Sequence, residues 1–234
     1  MSSKQKTHIV VTGASRGIGA AIVAAFDPQS ANVVALSSAD GDLSDPSVPA
    51  DLWANALEKL DSRVDVLINN AGVFEANPLD ADDAGWLSSW NRTLQINLTA
   101  SADLCRRAVL HWQETTASGR IVNIASRAAH RGDSPAHWHY AASKAGMLAM
   151  TKTIARAYAA QGIYAFAICP GFTMTGMAED YLHSRGGDKL LQDIPLGRVA
   201  TAKEVAAIAR FCALDAPPSM TGAILDVNGA SYVR

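Results

Sequence analysis

Tyr140 and Lys144 stand four residues apart in the run Tyr140-Ala-Ala-Ser-Lys144. On a helix, that spacing puts both side chains on one face. A phenol titrates near 10, too high for an efficient base at neutral pH. A neighbouring ammonium stabilises phenolate and lowers that value, so the pair is suited to moving a proton. Ser126 ends the apolar run Ile121-Val-Asn-Ile-Ala-Ser126, where its hydroxyl can hydrogen-bond a substrate oxygen. Singly, these residues also fit a solvated lysine, an exposed tyrosine and a serine bonded to local backbone. A second constellation is Thr12-Gly13-Ala-Ser15-Arg16-Gly17-Ile18-Gly19, between an apolar strand and an apolar helix. Glycines there allow a tight turn and close approach to phosphates, and a helix N-terminus offers free N–H groups to a pyrophosphate. Its spacing departs from GxGxxG, and alone it also fits a plain strand-to-helix turn. His137-Trp138-His139 alternates two imidazoles, but no third ligand follows at a sensible spacing. No metal site is expected there; the histidines should border the substrate entrance.

Short apolar runs must position these groups. Strands are expected at 8–12, 32–36, 64–69, 119–124, 164–168 and 223–226. Several are almost wholly apolar, as in strands buried on both faces. Helical periodicity marks 18–26, 49–60, 86–113, 140–161 and 202–213. The alternation implies an α/β class, a Rossmann-type doubly wound parallel sheet in a single domain spanning 1–234. Residues 37–47 are turn-rich. Residues 171–197 form a long mixed excursion, expected to be a loop or lid covering the substrate.

Composition narrows the function further. Of 234 residues, 49% are apolar and 18% charged, which suits a globular core. Twenty basic against 22 acidic residues give −2, with no electrostatic footprint for nucleic acid or an anionic membrane. Cys105, Cys169 and Cys212 are scattered and odd in number, and read as reduced, mostly buried thiols. No apolar stretch approaches the ~20 residues of a membrane span. A cytoplasmic protein is expected.

Taken in order, the motifs resemble those of the short-chain dehydrogenase/reductase family, especially its 3-oxoacyl-ACP reductase-like members. The glycine turn matches TGxxxGxG. Asn69-Asn70-Ala71-Gly72 matches NNAG, Asn97 the helix-borne asparagine, Tyr140 to Lys144 YxxxK, and Pro170-Gly171-Phe172-Thr173-Met174-Thr175 PGxxxT. Thr221 to Gly229 resembles the final strand. The resemblance implies NAD(P)-dependent hydride transfer to a ketone or from a secondary alcohol. In it Tyr140 is the general acid/base, Ser126 positions the substrate oxygen, and Lys144 also binds the nicotinamide ribose. Asn97 holds a water in the relay behind Lys144. Cofactor contacts are implied for Gly13, Ser15, Arg16, Gly17, Ile18 and Gly19, and for Ser37, Asp42 and Leu43 around the adenosine. They are implied also for Asn70, Ala71 and Gly72, and for Pro170, Gly171, Phe172, Thr173 and Thr175 over the nicotinamide, beside Tyr140 and Lys144.

NADP is expected rather than NAD. Ser37, near the end of the second strand, is not acidic, and Arg16 is placed to reach a 2′-phosphate. Asp40, close by, argues the other way. Phe172, Met174, Met177, Tyr181 and Leu182 suit an apolar pocket, while the polar loop 127–134 suits a polar or anionic substrate tail. The alternative for that loop is that Arg131 and Asp133 simply pair with each other on the surface. The resemblance implies a homo-oligomer, a dimer or tetramer, through helices 86–113 and 140–161. A cofactor-sensing binding protein of the same fold is the alternative to an enzyme.

Overall fold

The computed structural model describes residues 5–174 and 191–234. Six parallel strands form the central sheet: β1 (Thr7–Thr12), β2 (Ala31–Leu36), β3 (Val66–Asn69), β4 (Gly119–Ile124), β5 (Ile163–Pro170) and β8 (Ile224–Val227). Their order is β2-β1-β3-β4-β5-β8. The chain therefore reverses direction across the sheet at β1 and β3, the switch point where open α/β sheets bind ligands.

Strand alternation divides the core into two layers. Val10, Leu67 and Ile121 point to one face. There they meet α2 (Val48–Lys59), α4 (Ala100–Glu114) and α6 (Trp138–Tyr158). Ile9, Val11, Ile68 and Val122 point to the other face, against α1 (Gly17–Ala24) and α7 (Ala202–Arg210). Helices on both faces explain the continuous apolar strands. Backbone approach is close at Gly119, where a Cβ would lie 2.1 Å from the Trp112 ring. That indole donates to Val64 O at 2.6 Å and bridges α4 to the sheet.

The helix expected over 86–113 begins earlier and is not uniform. It starts as α3 (Asp83–Leu94), where the Asp82 carboxylate accepts from Gly85 N at 2.8 Å. It then opens into a wide π turn at Gln95–Thr99 before continuing as α4. Residues 37–47 are irregular, as expected. A two-strand ladder not anticipated from the sequence, β6 (Thr173–Met174) with β7 (Ala200–Thr201), joins the ends of the 171–197 excursion. The middle of that excursion lies outside the described residues, including Thr175, Met177, Tyr181 and Leu182. All three cysteines are free and buried. Among the described residues no helix is long and apolar enough to cross a membrane.

Candidate active site

The glycine turn leaves β1, and Asn69-Asn70-Ala71-Gly72 leaves β3 beside it. The two segments are bonded together. Asn70 Nδ2 donates to Thr12 O and Gly13 O, both at 3.0 Å. Thr12 Oγ1 accepts from Asn70 N and Ala71 N, both at 3.1 Å. Asn70 is thus a strut of the turn, a role its motif position alone did not reveal. Gly13 and Gly17 have φ of +64° and +55°, the region that favours glycine. A Cβ on Gly19 would lie 2.0 Å from Gly13 O, so the turn closes on itself only with glycine there. Arg16 is the exposed residue preceding α1, and its side chain makes no capping bond. The first N–H groups of α1 behind it have no intrahelical acceptor, the property of every helix start that suits it to phosphate.

At the end of β2, Ser37 does not stand alone. Its N–H and hydroxyl donate to Asp40 Oδ2 at 2.8 and 3.0 Å. These bonds hold the Asp40 carboxyl below its ordinary range. Asp42 similarly accepts from Ser44 N at 2.9 Å, and Leu43 packs on the core edge.

Tyr140 and Lys144 share one face of α6, as the spacing required. Lys144 is buried, and Nζ donates to Ile124 O at 2.9 Å, with Met147 Sδ at 3.7 Å. Burial lowers its ammonium to about 8. Nζ lies 5.9 Å from the centroid of the Tyr140 ring. Burial dominates and pushes Tyr140 up, with Ser126 pulling the other way and Asp133 and Cys169 adding to the rise. Ser126 Oγ also accepts from Ala128 N at 3.1 Å, which fixes its orientation at the start of α5 (Ala128–Arg131).

Asn97 sits in the π turn and is fully buried. Its Oδ1 accepts from Val73 N at 2.8 Å, and Nδ2 donates to Val73 O at 3.0 Å and Ser143 Oγ at 3.3 Å. The extra residue of the turn lets this side chain reach across to the segment after β3. A Cβ on Gly72 would lie 3.2 Å from Asn97 Oδ1 and 3.4 Å from Lys144 Nζ. Asn97, Gly72 and Lys144 therefore converge. The ammonium has three protons and a single oxygen acceptor, which leaves donors for hydroxyl groups. Donors of this kind and a glycine turn ahead of a helix are what ribose hydroxyls and a pyrophosphate require.

Around the phenol, Phe74 stacks on His137 with centroids 4.0 Å apart, and meets Tyr140 edge-on at 4.8 Å. His137 thus lines this wall. His139 does not border an entrance: it is 1% exposed, against Trp90, and its Nε2 has no hydrogen-bond partner. Arg131 pairs with Asp193 at 2.8 Å rather than with Asp133, which instead caps Ser134 N. Arg127, next to Ser126, was read only as part of the polar loop and not singled out as a site residue. It is 9% exposed, its guanidinium lies over the Phe172 ring at 5.0 Å, and Nη1 approaches Asp193 to 3.6 Å. Its sequence signals were its adjacency to Ser126 and its place in the polar loop 127–134, read as a whole for a substrate tail. Gly171 packs on Asn228, where a Cβ would meet Asn228 Cα at 2.9 Å, and Thr173 donates to Gly171 O at 3.2 Å. Pro170 ends β5, its carbonyl accepting from Arg127 N at 2.9 Å. The segment Pro170 to Thr173 therefore stands beside Ser126.

A family model described as enoyl-(acyl carrier protein) reductase matches residues 35–230. The chain is 35% identical over 243 residues to a 3-oxoacyl-(acyl-carrier-protein) reductase of Synechocystis sp., covering 94% of each. The chain belongs to the short-chain dehydrogenase/reductase family. This short-chain dehydrogenase/reductase is also 34% identical to 3beta-hydroxysteroid dehydrogenase 1 of Eggerthella lenta, over 97% of its own length and 93% of the relative's. The solved structure of ligand-free aldohexose dehydrogenase from Thermoplasma acidophilum matches it with a TM-score of 0.85 at 25% identity, covering 100% and 96% of the two chains. The short-chain dehydrogenase/reductase is an oxidoreductase enzyme of a family that uses nicotinamide cofactors.

Proposed function

We propose that the protein moves a hydride between NADP and a ketone or secondary alcohol, with Tyr140 as general acid/base. The observation that carries this reading is the convergence of Tyr140, Ser126, Lys144 and Gly72 beside the glycine turn. The nicotinamide would supply or accept the hydride. Tyr140, kept a neutral phenol by burial, donates its proton to the carbonyl oxygen during reduction. Ser126 holds that oxygen by a hydrogen bond. Lys144 binds the ribose hydroxyls through its remaining protons. Asn97 acts through Val73 and Ser143, positioning the floor of the site and the water expected behind Lys144. Pro170, Gly171, Phe172 and Thr173 would cover the nicotinamide.

NADP is favoured because Arg16 is exposed and its side chain is not used in capping. The Asp40 carboxylate is folded back onto Ser37, which accounts for two of its hydrogen bonds. The substrate is a small carbonyl or alcohol compound, with Arg127 beside Ser126 suiting a polar tail. Self-association is proposed through α4 and α6, where Leu110 and Trp138 are exposed.

The test is NADPH and NADH binding followed by fluorescence, with ketones and alcohols added and Tyr140→Phe as control. Tighter NADPH binding, with turnover lost in the variant, is the expected result. No binding of either cofactor, or full turnover in Tyr140→Phe, overturns the reading.

A further inference from the structure

Beside the active site, one side-chain cluster stands out where β5 meets β8. Cys169 is fully buried on β5, His130 is half-buried on α5, and Asp226 is exposed on β8. One donor atom from each lies within 4.8 Å of the other two. His130 Nε2 and Cys169 Sγ are 3.7 Å apart. For tetrahedral zinc with ordinary Zn–N and Zn–S bonds, these two ligand atoms should stand about 3.6 Å apart. The observed separation therefore already matches one edge of the tetrahedron.

The surroundings hold the three groups in place. The His130 ring stacks flat on Tyr232, with centroids 5.5 Å apart and 7° between planes. Arg234 holds Asp226 Oδ2 at 3.0 Å and donates to Ile224 O at 2.6 Å. A carboxylate has a second oxygen to offer a metal. The exposed Asp226 leaves a path to solvent, and ligands from three separate elements fix the geometry once the chain has folded.

We propose that His130, Cys169 and Asp226 form a site for a borderline-soft divalent transition metal, zinc being the natural fit, with water as the fourth ligand. Thiolate and imidazole donors select against magnesium and calcium, which take oxygen ligands. Binding forms metal–sulfur, metal–nitrogen and metal–oxygen bonds, releases the Cys169 thiol proton to solvent, and changes no oxidation state. The competing account is a weak thiol–imidazole hydrogen bond with no metal. The cluster adjoins the Tyr140 chemistry, since Cys169 bears electrostatically on both Tyr140 and Lys144, but the test of metal binding needs no turnover. Cys169 directly precedes Pro170-Gly171, so occupancy should also alter catalysis.

The experiment uses the full chain, stripped with a chelator and titrated with Co²⁺ as a spectroscopic substitute. One Co²⁺ per chain is expected, with a thiolate-to-cobalt charge-transfer band, intense tetrahedral d–d bands, and displacement of both by Zn²⁺. Cys169→Ser should abolish the charge-transfer band. His130→Ala and Asp226→Asn should each weaken binding at least tenfold. Cys212→Ser should leave the spectrum unchanged. The wild-type spectrum is informative even if a variant fails to fold. Absence of the charge-transfer band in wild type, its loss in Cys212→Ser, or its survival in folded Cys169→Ser would overturn the proposal.

Discussion

Replacing Lys144 with methionine should stabilise the fold while abolishing turnover. Lys144 is 4% exposed, and burial lowers its ammonium from the ordinary 10.5 to about 8. Keeping that group charged at pH 7 costs roughly 3 kcal/mol of folding free energy. Losing the bond to Ile124 O returns about 1 kcal/mol of that. Methionine fills similar volume without charge, so the net gain is about 2 kcal/mol. For a chain of this length that raises Tm by about 4–8 °C. The sign depends on pH. Below about 8 the lysine is charged in both folded and unfolded states, and the full penalty applies. Between about 8 and 10.5 the folded state releases its proton first, so the wild type gains stability relative to the variant. Urea unfolding of both proteins at pH 7 and pH 10 measures this. A variant less stable than wild type at pH 7, or a difference that stays constant to pH 10, would refute the reasoning.

Three other perturbations test separate parts of the structure. Gly72→Ala adds a Cβ 3.2 Å from Asn97 Oδ1 and 3.4 Å from Lys144 Nζ; kcat/KM should fall about tenfold with little change in Tm, because small displacements of reacting groups are costly. Arg16→Ala should reduce the ratio of NADPH to NADH affinity, measured by fluorescence titration, and an unchanged ratio would remove Arg16 from the cofactor reading. Thr201→Ala breaks the capping box of α7, in which Thr201 Oγ1 accepts from Glu204 N at 3.2 Å, and should cost about 1 kcal/mol in urea unfolding. In the wild type Arg198, together with the same box, holds Glu204 down at about 2. Its contribution should be present above the ordinary 4.5 and be lost as pH falls through about 2, so Thr201→Ala should differ most from wild type at neutral pH.

Local pattern carried a large part of this protein. The six apolar runs became the six strands because strands covered on both faces need apolar residues throughout, and that need is written in consecutive positions. Tyr140 and Lys144 share a face because helical spacing is local. The glycine turn was readable because positive φ at Gly13 and Gly17 demands a residue type. The interruption at Gln95–Thr99 was not readable. There Asn97 bonds Val73, 24 residues away, and no periodicity within 86–113 reports that contact. The direction of the Tyr140 shift was also hidden, because spacing specifies a neighbour but not the burial that dominates at the phenol. Arg131 chose Asp193, 62 residues on, over nearby Asp133 for a similar reason. His130, Cys169 and Asp226 lie 39 and 57 positions apart along the chain, so no motif spacing joins them. Sequence determined the chemical groups and the short-range faces that carry them, since both depend on residue type and helix or strand period. Tertiary structure alone decided which groups meet and how dry their meeting place is, because distance and desolvation belong to the packed chain.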